Sequence, residues 1–332
     1  MGNIRPFQLP NDIDIMVKLI REGFQYPENP SWSVQTDENE SMLDQIDGVK
    51  RFWPLVRILQ LFIPILRDVI RGFIYEEDHQ PVGLINFMRH RNAPEWLIAN
   101  VTVLPAYRRR GVARKLVEAA LEDLRARKAK TIYLEVIAAN LPAYNLYKDL
   151  GFAPYASSSE YNLRPEQVVA VIDLPKGYHI QPIGRFEWRR QMDFAKRITP
   201  TKILDYEPIR EDRFRPSISA YLLGPLFESI GGSRQDRFAI VTTDDEKTVA
   251  IGIYTYRTRA GGVNRASVEL DPVHAQLAEF IGRHLISEIQ MRAPGRRTEI
   301  QLNDWQPALG QTFEILGCVK RFTVHKMGLL FK

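Results

Sequence analysis

Cysteine is nearly absent from this chain, which contains one, Cys318, among 332 residues. A single cysteine can form neither an intramolecular disulfide nor a zinc site based on cysteine ligands, so we expect a protein of a reducing compartment, the cytoplasm. The six histidines are dispersed without the spacing of metal ligands. We therefore expect no metal site.

Long apolar runs are also missing. The most apolar stretch is residues 51–73, and the residues that interrupt it include Arg57, Pro64, Arg67 and Asp68. Because its longest uncharged run is far below the roughly 20 residues that span a bilayer, we expect no transmembrane segment. Three interpretations remain: two helical segments bent at Pro64 and packed on a core, an apolar wall over a substrate site, or a membrane-surface helix. The first residues lack the apolar region of a signal peptide, and Pro6 argues against myristoylation.

A strong excess of one charge is lacking too. The chain has 45 Lys and Arg residues against 40 Asp and Glu residues, a formal net charge of +5. These basic residues are scattered rather than striped along one face, and no helix-turn-helix or RNA-recognition signature is present, so we expect no nucleic-acid partner. The length and the mildly basic charge fit a globular protein of one large or two ordinary domains with an anionic ligand.

The region between residues 73 and 151 alternates strand and helix patterns. The predicted strands are Phe73–Glu76, Val82–Met88, Trp96–Val103 and Thr131–Ile137, and the predicted helices cover residues 110–128 and 141–150. Asn140 is a plausible N-cap of the second helix, and Gly151 stands where a C-terminal cap glycine belongs. This order predicts an α/β (α+β) unit, in which a mixed central sheet is flanked by helices.

Three successive arginines and a glycine, Arg108–Gly111, occupy the point where a strand is predicted to become a helix. The first N–H groups of a helix have no internal partner and carry the positive end of its dipole. Gly111 allows an anion to approach the backbone, and Ala113 is the next-smallest choice two residues later. The turn therefore suits a pyrophosphate, although it lacks the glycines of a Walker or Rossmann loop. A basic helix start without a ligand is the alternative.

The pattern Arg108-x-x-Gly111-x-Ala113 resembles the Gln/Arg-x-x-Gly-x-Gly/Ala signature of the GNAT acetyltransferases. The segments Val103–Pro105 and Leu134–Phe152 are similar to the same family, and most similar to its branch that acetylates the amino termini of proteins. The resemblance covers residues 4–160. It implies an N-acetyltransferase that moves the acetyl group of acetyl-CoA to an amine by direct attack. The acceptor would be a peptide or protein amino terminus or a small-molecule amine; a non-catalytic acyl-CoA-binding regulatory module is the alternative.

The resemblance also implies roles for individual residues. The strand before the turn would contact the pantetheine arm, the turn would hold the pyrophosphate, and Asn140 would bind near the thioester. The residues of this expected cofactor site are Val101, Thr102, Val103, Arg108, Arg109, Arg110, Gly111, Val112, Ala113, Arg114 and Asn140. Glu135 would take a proton from the amine, and Tyr147 would protonate the departing thiolate. On the residues alone, Glu135 could be an exposed strand carboxylate, Tyr147 a packing residue and Asn140 only a cap.

The second half of the chain repeats the first in a weaker form. Four pairs of segments follow one another in the same order: Ile4–Pro6 and Ile180–Pro182, Pro81–Phe87 and Val249–Tyr256, Val103–Pro105 and Leu270–Pro272, and Thr131–Phe152 and Thr298–Cys318. We therefore predict a tandem duplication with two GNAT-like domains, at residues 1–162 and 178–332. A single domain with an extension is the alternative.

The second copy departs from the family at the positions that carry the chemistry. Ala275 and Ala278 stand where the first copy has Arg108 and Gly111, and the counterparts of Glu135, Asn140 and Tyr147 are Gln301, Gln306 and Phe313. A phenylalanine keeps the ring of Tyr147 but has no hydroxyl to donate a proton. We expect this copy to keep the fold without the cofactor and to complete the cleft of the first copy, as a partner subunit would, in a monomer or a homodimer.

Overall fold

The computed structural model describes residues 2–44, 50, 70–89, 93–184, 186–216 and 232–331. The chain divides into two compact units. Unit 1 comprises Met1–Gln35, Ile46–Ala156 and Val324–Lys332, and unit 2 comprises Thr36–Gln45 and Ser157–Thr323. The predicted domains, 1–162 and 178–332, are contiguous in sequence, whereas each compact unit includes a segment from the other half of the chain.

Unit 1 is a mixed sheet with helices. Its strands are β1 (Asn3–Pro6), β2 (Arg71–Glu77), β3 (Gln80–Arg89), β4 (Glu95–Val103), β5 (Thr131–Ile137), residues 153–156 of β6 (Ala153–Leu163) and residues 324–330 of β12 (Val319–Leu330). Its helices are α1 (Ile13–Gly23), α2 (Val112–Ala126) and α3 (Leu141–Asp149). The strands pair in the order β1-β2-β3-β4-β5-β12. Only the β4–β5 pair of this order is parallel.

The apolar stripe of α2 explains its place on this sheet. Six of its side chains are buried at helical spacing: Val112, Leu116, Val117, Ala120, Leu121 and Leu124. They form one core cluster with the inward-facing residues of β4 and β5, among them Trp96, Ile132 and Leu134. The periodicity that predicted this helix is therefore the periodicity of its buried face.

Unit 2 is built in the same way. Its strands are residues 157–163 of β6, then β7 (Tyr178–Pro182), β8 (Ser233–Thr242), β9 (Thr248–Arg257), β10 (Asn264–Leu270), β11 (Thr298–Asn303) and residues 319–323 of β12. Its helices are the helical residues 36–44, then α4 (Trp188–Ile198), α5 (Thr201–Leu204), α6 (Glu211–Phe214), α7 (Ala278–Arg292) and α8 (Pro307–Ile315). The sheet order is β6-β11-β10-β9-β8-β7.

The two units share one topology. In each, four strands pair antiparallel in sequence order, a helix follows the fourth strand, and the fifth strand pairs with the fourth in parallel. These helices are α2 in unit 1 and α7 in unit 2, and a shorter helix follows the fifth strand in both. The predicted fold class of two tandem mixed sheets flanked by helices is confirmed.

The apolar stretch at residues 51–73 lies outside the described residues up to position 69. Among the residues that are described, no helix has both the length and the apolar character needed to cross a bilayer.

Candidate functional site

The fourth and fifth strands of unit 1 diverge at their carboxyl ends. Their parallel ladder runs from Glu95–Thr131 to Ile98–Leu134, and in the described part of the chain it ends there, although β4 continues to Val103 and β5 to Ile137. The last residues of β4 remain paired with β3 on their other side. Since backbone groups between diverging strands have no ladder partner, this opening can accept an extended polar ligand.

A β-bulge contributes to this divergence. On β3, Asn86 and Phe87 are neighbours, but their partners on β4 are Asn100 and Ile98, which leaves Ala99 as the extra residue. A bulge bends its strand and increases the local twist. In the described ladder between β9 and β10 of unit 2 the register is continuous.

The turn after β4 has an unusual backbone. A short 3-10 helix, Pro105–Tyr107, is followed by two residues in the left-handed region, Arg109 with φ 63° and Gly111 with φ 76°. Successive residues that alternate between right-handed and left-handed backbone conformations direct their N–H groups into a concave anion-binding nest. Space also surrounds Gly111, since a Cβ built there meets nothing within 4 Å among the described residues.

The first turn of α2 is open to a ligand. Its N-cap is Gly111, which has no side chain to cap the helix, and the first internal hydrogen bond runs from the Lys115 N–H to the Gly111 carbonyl. The preceding N–H groups, at the start of the helix, are therefore available, and the helix dipole favours an anion there. Val112 is buried, whereas Ala113 and Arg114 are partly exposed.

The basic residues of the turn point in different directions. Arg109 is exposed. Arg110 lies over the Tyr107 ring at 5.1 Å, 3.9 Å from the Glu77 carboxylate, and Arg114 is 2.9 Å from the Asp149 carboxylate. The Arg110 and Arg114 pairs are exposed, so water weakens them and both guanidinium groups can exchange partners.

Arg108 is engaged elsewhere. Its Nη2 donates to the Gly23 carbonyl at 2.8 Å and its Nε to the Val103 carbonyl at 3.3 Å. Its guanidinium also lies 4.9 Å from the Tyr26 ring centroid. Thr102, one of the strand residues expected to contact the cofactor, also has a partner within the protein. Its buried hydroxyl donates to the Leu19 carbonyl at 3.2 Å.

Glu135 lies on β5, one residue beyond the end of the parallel ladder. Its side chain is 42% exposed, and its Oε1 is 4.0 Å from the Nζ of Lys326, which is its partner residue on β12. An exposed carboxylate at the mouth of the opening can exchange protons with water.

Tyr147 lies on the inner face of α3. Its side chain is 7% exposed and packs edge-on against Phe152 at 6.0 Å. Burial raises the pKa of its hydroxyl well above the ordinary value, and the nearby Tyr26 raises it further. The group is therefore fully protonated at neutral pH, as a proton donor must be.

Asn140 is the N-cap of α3, as its position predicted. Its Oδ1 accepts a hydrogen bond from the Ala143 N–H at 3.3 Å, while its amide nitrogen is not used in that cap. Gly151 has φ 92°, the left-handed conformation expected of a helix-terminating glycine.

The equivalent turn of unit 2 is closed. A 3-10 helix, Pro272–Leu277, runs directly into α7, and its last residue, Leu277, has right-handed helical angles. The Asp271 side chain caps the Val273 N–H at 3.2 Å. No residue between 271 and 278, all of them described, has a positive φ, so the nest of the first copy has no counterpart here.

The opening between β10 and β11 is filled by a side chain. Gln306, the counterpart of Asn140, is buried, and its Oε1 accepts a hydrogen bond from the Leu270 N–H at 3.2 Å. Leu270 is the last residue of β10, the counterpart of Val103. Phe313, the counterpart of Tyr147, is fully buried in the core and has no hydroxyl.

Unit 2 contains one close group of carboxylates. Oxygen atoms of Glu38, Glu160 and Glu299 lie within 4.8 Å of one another. Guanidinium groups lie among them: Arg297 is 3.0 Å from both Glu38 and Glu299, and Arg321 is 2.9 Å from Glu160. These arginines already supply the positive charge that a cation would bring, and the absence of a metal site remains a prediction.

Comparison with known proteins agrees with this architecture. Residues 36–152 match the acetyltransferase (GNAT) family. A tandem GNAT protein from the clavulanic acid biosynthesis pathway superposes with a TM-score of 0.65 at 13% identity, over 99% of this chain and 98% of its own. The GNAT family match thus covers residues 36–152, about a third of the chain. At this identity the superposition shows a shared tandem fold and no more.

Curated relatives match short parts of the chain. An N-alpha-acetyltransferase of Sulfurisphaera tokodaii is 34% identical over 91 residues, 24% of this chain and 54% of its own length. The [ribosomal protein bS18]-alanine N-acetyltransferase of Escherichia coli K12 is 41% identical over 58 residues, 18% of this chain and 39% of its own. The chain thus spans about half or less of the relatives that it matches.

The sequence did not identify the residues that contact Arg108 in the turn after β4. Tyr26 and the backbone of residues 23–25 lie against Arg108. No motif marks this segment, because its contacts depend on residues more than 80 positions away. The aromatic pair Tyr26 and Trp32, six positions apart around Pro30, was the one available signal of a structured loop.

Proposed function

We propose that the protein is an acetyl-CoA-dependent N-acetyltransferase whose active site lies in unit 1. One observation carries this proposal: the uncapped start of α2, with its left-handed Gly111, follows the strand that diverges from β5 after one short turn. An anion site at the end of such an opening suits a long ligand with a pyrophosphate at one end.

The residues present fit acetyl-CoA. The N–H groups at the start of α2 and the exposed Arg109 would hold the pyrophosphate, and Arg110 and Arg114 are near enough in sequence to add charge. The backbone of Val101–Val103 would contact the pantetheine amides, except at the Val103 carbonyl, which Arg108 occupies. The amide nitrogen of Asn140, which the cap does not use, would donate near the thioester.

Two side chains would move protons. Acetyl-CoA supplies the acetyl group as an activated thioester. Glu135 would accept a proton from the ammonium group of the acceptor, through water, so that the neutral amine attacks the carbonyl carbon. Tyr147 would donate its proton to the sulfur as the C–S bond breaks and the amide N–C bond replaces it, and the second proton lost by the nitrogen would restore the Tyr147 hydroxyl.

We propose that unit 2 is a degenerate copy without a cofactor. Its turn has no left-handed residue, Gln306 fills the equivalent opening, and Phe313 has no hydroxyl.

The acceptor class rests on the relatives: both named N-acetyltransferases act on amines, and a free amino terminus of a peptide is the acceptor that we favour.

The test is thiol release from acetyl-CoA with a panel of acceptors. The panel holds short peptides with free and with blocked amino termini, and simple small-molecule amines. We expect turnover with free amines only, one CoA bound per chain, and loss of both properties in Gly111→Glu. Binding of CoA without turnover on any amine would instead support a non-catalytic acyl-CoA-binding module, and two equal CoA sites would contradict the degenerate second copy.

A further inference from the structure

A cleft of 440 Å³ lies within unit 2, between α7 and the edge of the sheet at β7 and β8. Three side chains of α7 line it at intervals of four residues: His284, Glu288 and Arg292. This spacing places them in one column along the helix. Residues 180–183 and 235–238 form the opposite wall, with Tyr254 of β9 beside them. The volume is in the range of sites that bind small molecules, and we call this space the α7 cleft.

The charged groups of the α7 cleft form one network. The Arg292 Nε donates to the Asp236 Oδ2 at 2.9 Å, and its Nη1 donates to the Glu288 Oε2. The Tyr254 hydroxyl donates to the same Glu288 oxygen at 3.0 Å, and its ring centroid lies 5.3 Å from the Arg292 guanidinium. Because each side chain is held by at least one other, the charges are in place before a ligand arrives, which lowers the entropic cost of binding.

This network leaves atoms of both signs unused. Among the described residues, none accepts a hydrogen bond from the Arg292 Nη2, and none donates to the Asp236 Oδ1 or the Glu288 Oε1. A guanidinium nitrogen can therefore still donate to an anionic group, and two carboxylate oxygens can still accept from a cationic one. The side chains of Arg292 and Asp236 are 34% and 39% exposed, so a ligand can reach both.

His284 adds a hydrogen-bonding group without charge. Its ring stacks on Phe280 at 5.6 Å and meets the Phe238 ring edge-on at 4.9 Å. Burial lowers the pKa of the imidazole, so the ring is uncharged at neutral pH. Neither ring nitrogen has a hydrogen-bond partner in the part of the chain that the structure describes. A neutral imidazole has one donor and one acceptor, and both are available at the α7 cleft.

The remaining wall of the α7 cleft is apolar. Pro182 is the partner residue of Phe238 in the β7–β8 ladder, and Ile180 lies two positions earlier on the same face of β7. Ile180 is 36% exposed, so its side chain still has apolar surface to cover. A Cβ at Gly252 would overlap the Phe238 ring, so the glycine lets that ring lie close to β9 and form the floor of the cleft.

We propose that the α7 cleft binds a zwitterionic α-amino acid with an apolar side chain. The carboxylate of the ligand would accept a hydrogen bond from the Arg292 Nη2. Its ammonium group would donate to the Glu288 Oε1 and to the imidazole of His284, which are one helical turn apart and so within reach of one group. Its side chain would pack against Ile180 and Phe238.

The charge of the α7 cleft favours this class of ligand. Two acids and two arginines line it, so their formal charges cancel, and these residues are Asp236, Glu288, Arg237 and Arg292. A simple anion would leave the unused carboxylate oxygens without a partner in a partly dry site, and a simple amine would leave the guanidinium nitrogen in that state. The cleft belongs to unit 2, so this proposal does not depend on the acetyl transfer proposed for unit 1.

The test is calorimetric titration of the full chain, without acetyl-CoA, with leucine and three matched analogues. Isocaproate keeps the carbon skeleton and the carboxylate of leucine without its ammonium group, isoamylamine keeps the ammonium group without the carboxylate, and glycine keeps both charges without the side chain. We expect leucine to bind at one site per chain with a Kd of about 1 mM or lower, and each analogue to bind about tenfold more weakly or worse.

Variants of the α7 cleft locate the bound leucine. Ile180→Trp fills the apolar wall and leaves every charged group in place, and His179→Trp, on the opposite face of β7, is its control. Glu288→Gln removes one proposed partner of the ammonium group, and Glu279→Gln, on the same helix and outside the cleft, is its control. We expect Ile180→Trp and Glu288→Gln to weaken leucine binding about tenfold or more, and both controls to bind leucine as the wild type does.

Three results would overturn the proposal. Leucine that shows no saturable binding at about 10 mM would remove the site, and an analogue that binds as tightly as leucine would refute the class of ligand. Leucine that binds equally well to the wild type and to Ile180→Trp lies outside the α7 cleft, for example at an acceptor site of unit 1. Because Ile180 is partly exposed on an edge strand, its variant keeps the test decisive if Glu288→Gln does not fold.

Discussion

At the scale of single residues, the hydroxyl of Tyr147 combines two requirements that usually conflict. Burial keeps its pKa well above the ordinary value, so the proton is present at neutral pH, and 7% of the residue remains exposed. We predict that Tyr147→Phe lowers kcat by a factor on the order of 10²–10⁴, as expected for loss of a general acid, while the Kd of acetyl-CoA hardly changes. Steady-state kinetics and calorimetry measure the two quantities.

The matched control for this change is Tyr75→Phe. Tyr75 is buried to a similar degree and belongs to the same core cluster, so it reports the cost of removing a hydroxyl from that core. Full turnover in Tyr147→Phe would make Tyr147 a packing residue, and CoA would then leave as an unassisted thiolate.

Glu135 should give a different signature. We predict that Glu135→Gln lowers turnover most below the pKa of the acceptor amine, because the acceptor then arrives as an ammonium ion and needs a base. As the pH rises toward that pKa, the amine arrives neutral and the ratio of wild-type to variant turnover should fall. Parallel pH–rate profiles for the two proteins would argue against Glu135 as the base. Lys326→Met, which removes the neighbouring charge, is the control for a purely electrostatic effect.

The residues themselves were largely predictable. Asn140 and Gly151 were expected as helix caps, and Gly111 as the residue that opens the turn, because each position demands a specific side chain or a positive φ. Arg108 could not be read in the same way. A motif gives the residue type but not the direction of a long side chain, and its partners are carbonyl groups, which every residue carries.

At the scale of elements, the start of α2 depends on one glycine. In Gly111→Ala the left-handed angle costs about 1–2 kcal/mol, whereas the added methyl group meets open space. In Gly111→Glu we expect a similar loss of stability and, in addition, loss of CoA binding, since a carboxylate would lie at the proposed pyrophosphate site. Thermal melting and calorimetry on both variants separate the two effects, and equal CoA affinity in the two would refute the assignment.

The helical residues 36–44 are attached to unit 2 by charge. Asp37 and Glu38 accept hydrogen bonds from Arg297, which also bonds to Glu299. Burial, followed by the hydrogen bond with Glu38 and the charges of Glu160 and Glu38, raises the pKa of Glu299 to about 7. The opposing positive charges are those of Arg265, Arg297 and Arg321.

This raised pKa predicts a pH dependence of stability. The folded state keeps the proton of Glu299 between its ordinary pKa of 4.5 and about 7, and the unfolded state does not. The stabilisation is therefore complete below pH 4.5 and lost as the pH rises through 7. Urea unfolding between pH 4.5 and 8 should show this loss in the wild type, a weaker slope in Glu299→Gln, and the wild-type slope in the exposed control Glu279→Gln. An unchanged slope in Glu299→Gln would contradict the assignment.

Elements were predictable where the pattern is local. The apolar stripe of α2 and the alternation of β5 predicted these two elements, with boundaries within two residues of the observed ones. The divergence of β4 and β5 was not predictable, because a bulge at Ala99 depends on the register with β3 and leaves no mark in the sequence of β4. The closure by Gln306 was not predictable either, because a buried glutamine can point in several directions.

At the scale of the whole molecule, unit 1 needs residues from the far end of the sequence. Residues 324–330 pair with the whole of β5, and Met327 is fully buried in the core beside α2. We predict that a chain ending at Thr323 loses CoA binding and aggregates, because β5 becomes an exposed edge strand and the core opens. Calorimetry and size-exclusion chromatography test this. Normal CoA binding by the shortened chain would contradict it.

The repeat itself was visible in the sequence, but the exchange of segments was not. Anchor pairs such as Leu150–Gly151 and Leu316–Gly317 mark equivalent positions in two copies, since each copy needs the same helix cap. Which copy a strand joins is decided by tertiary pairing, which the order of the repeat does not reveal. The domain boundaries at 1–162 and 178–332 follow the order of the repeat and stay a prediction.

This exchange sets an order of events during synthesis. The ribosome has produced every residue proposed for catalysis once it passes Tyr147, yet it must still make the whole of residues 157–323 before the strand that completes the β5 edge can emerge. The first half of the protein thus waits, unfinished, while the second half is translated. A chain interrupted anywhere in that interval carries the residues proposed for catalysis without the strand that completes their sheet, so partial translation products should be inactive.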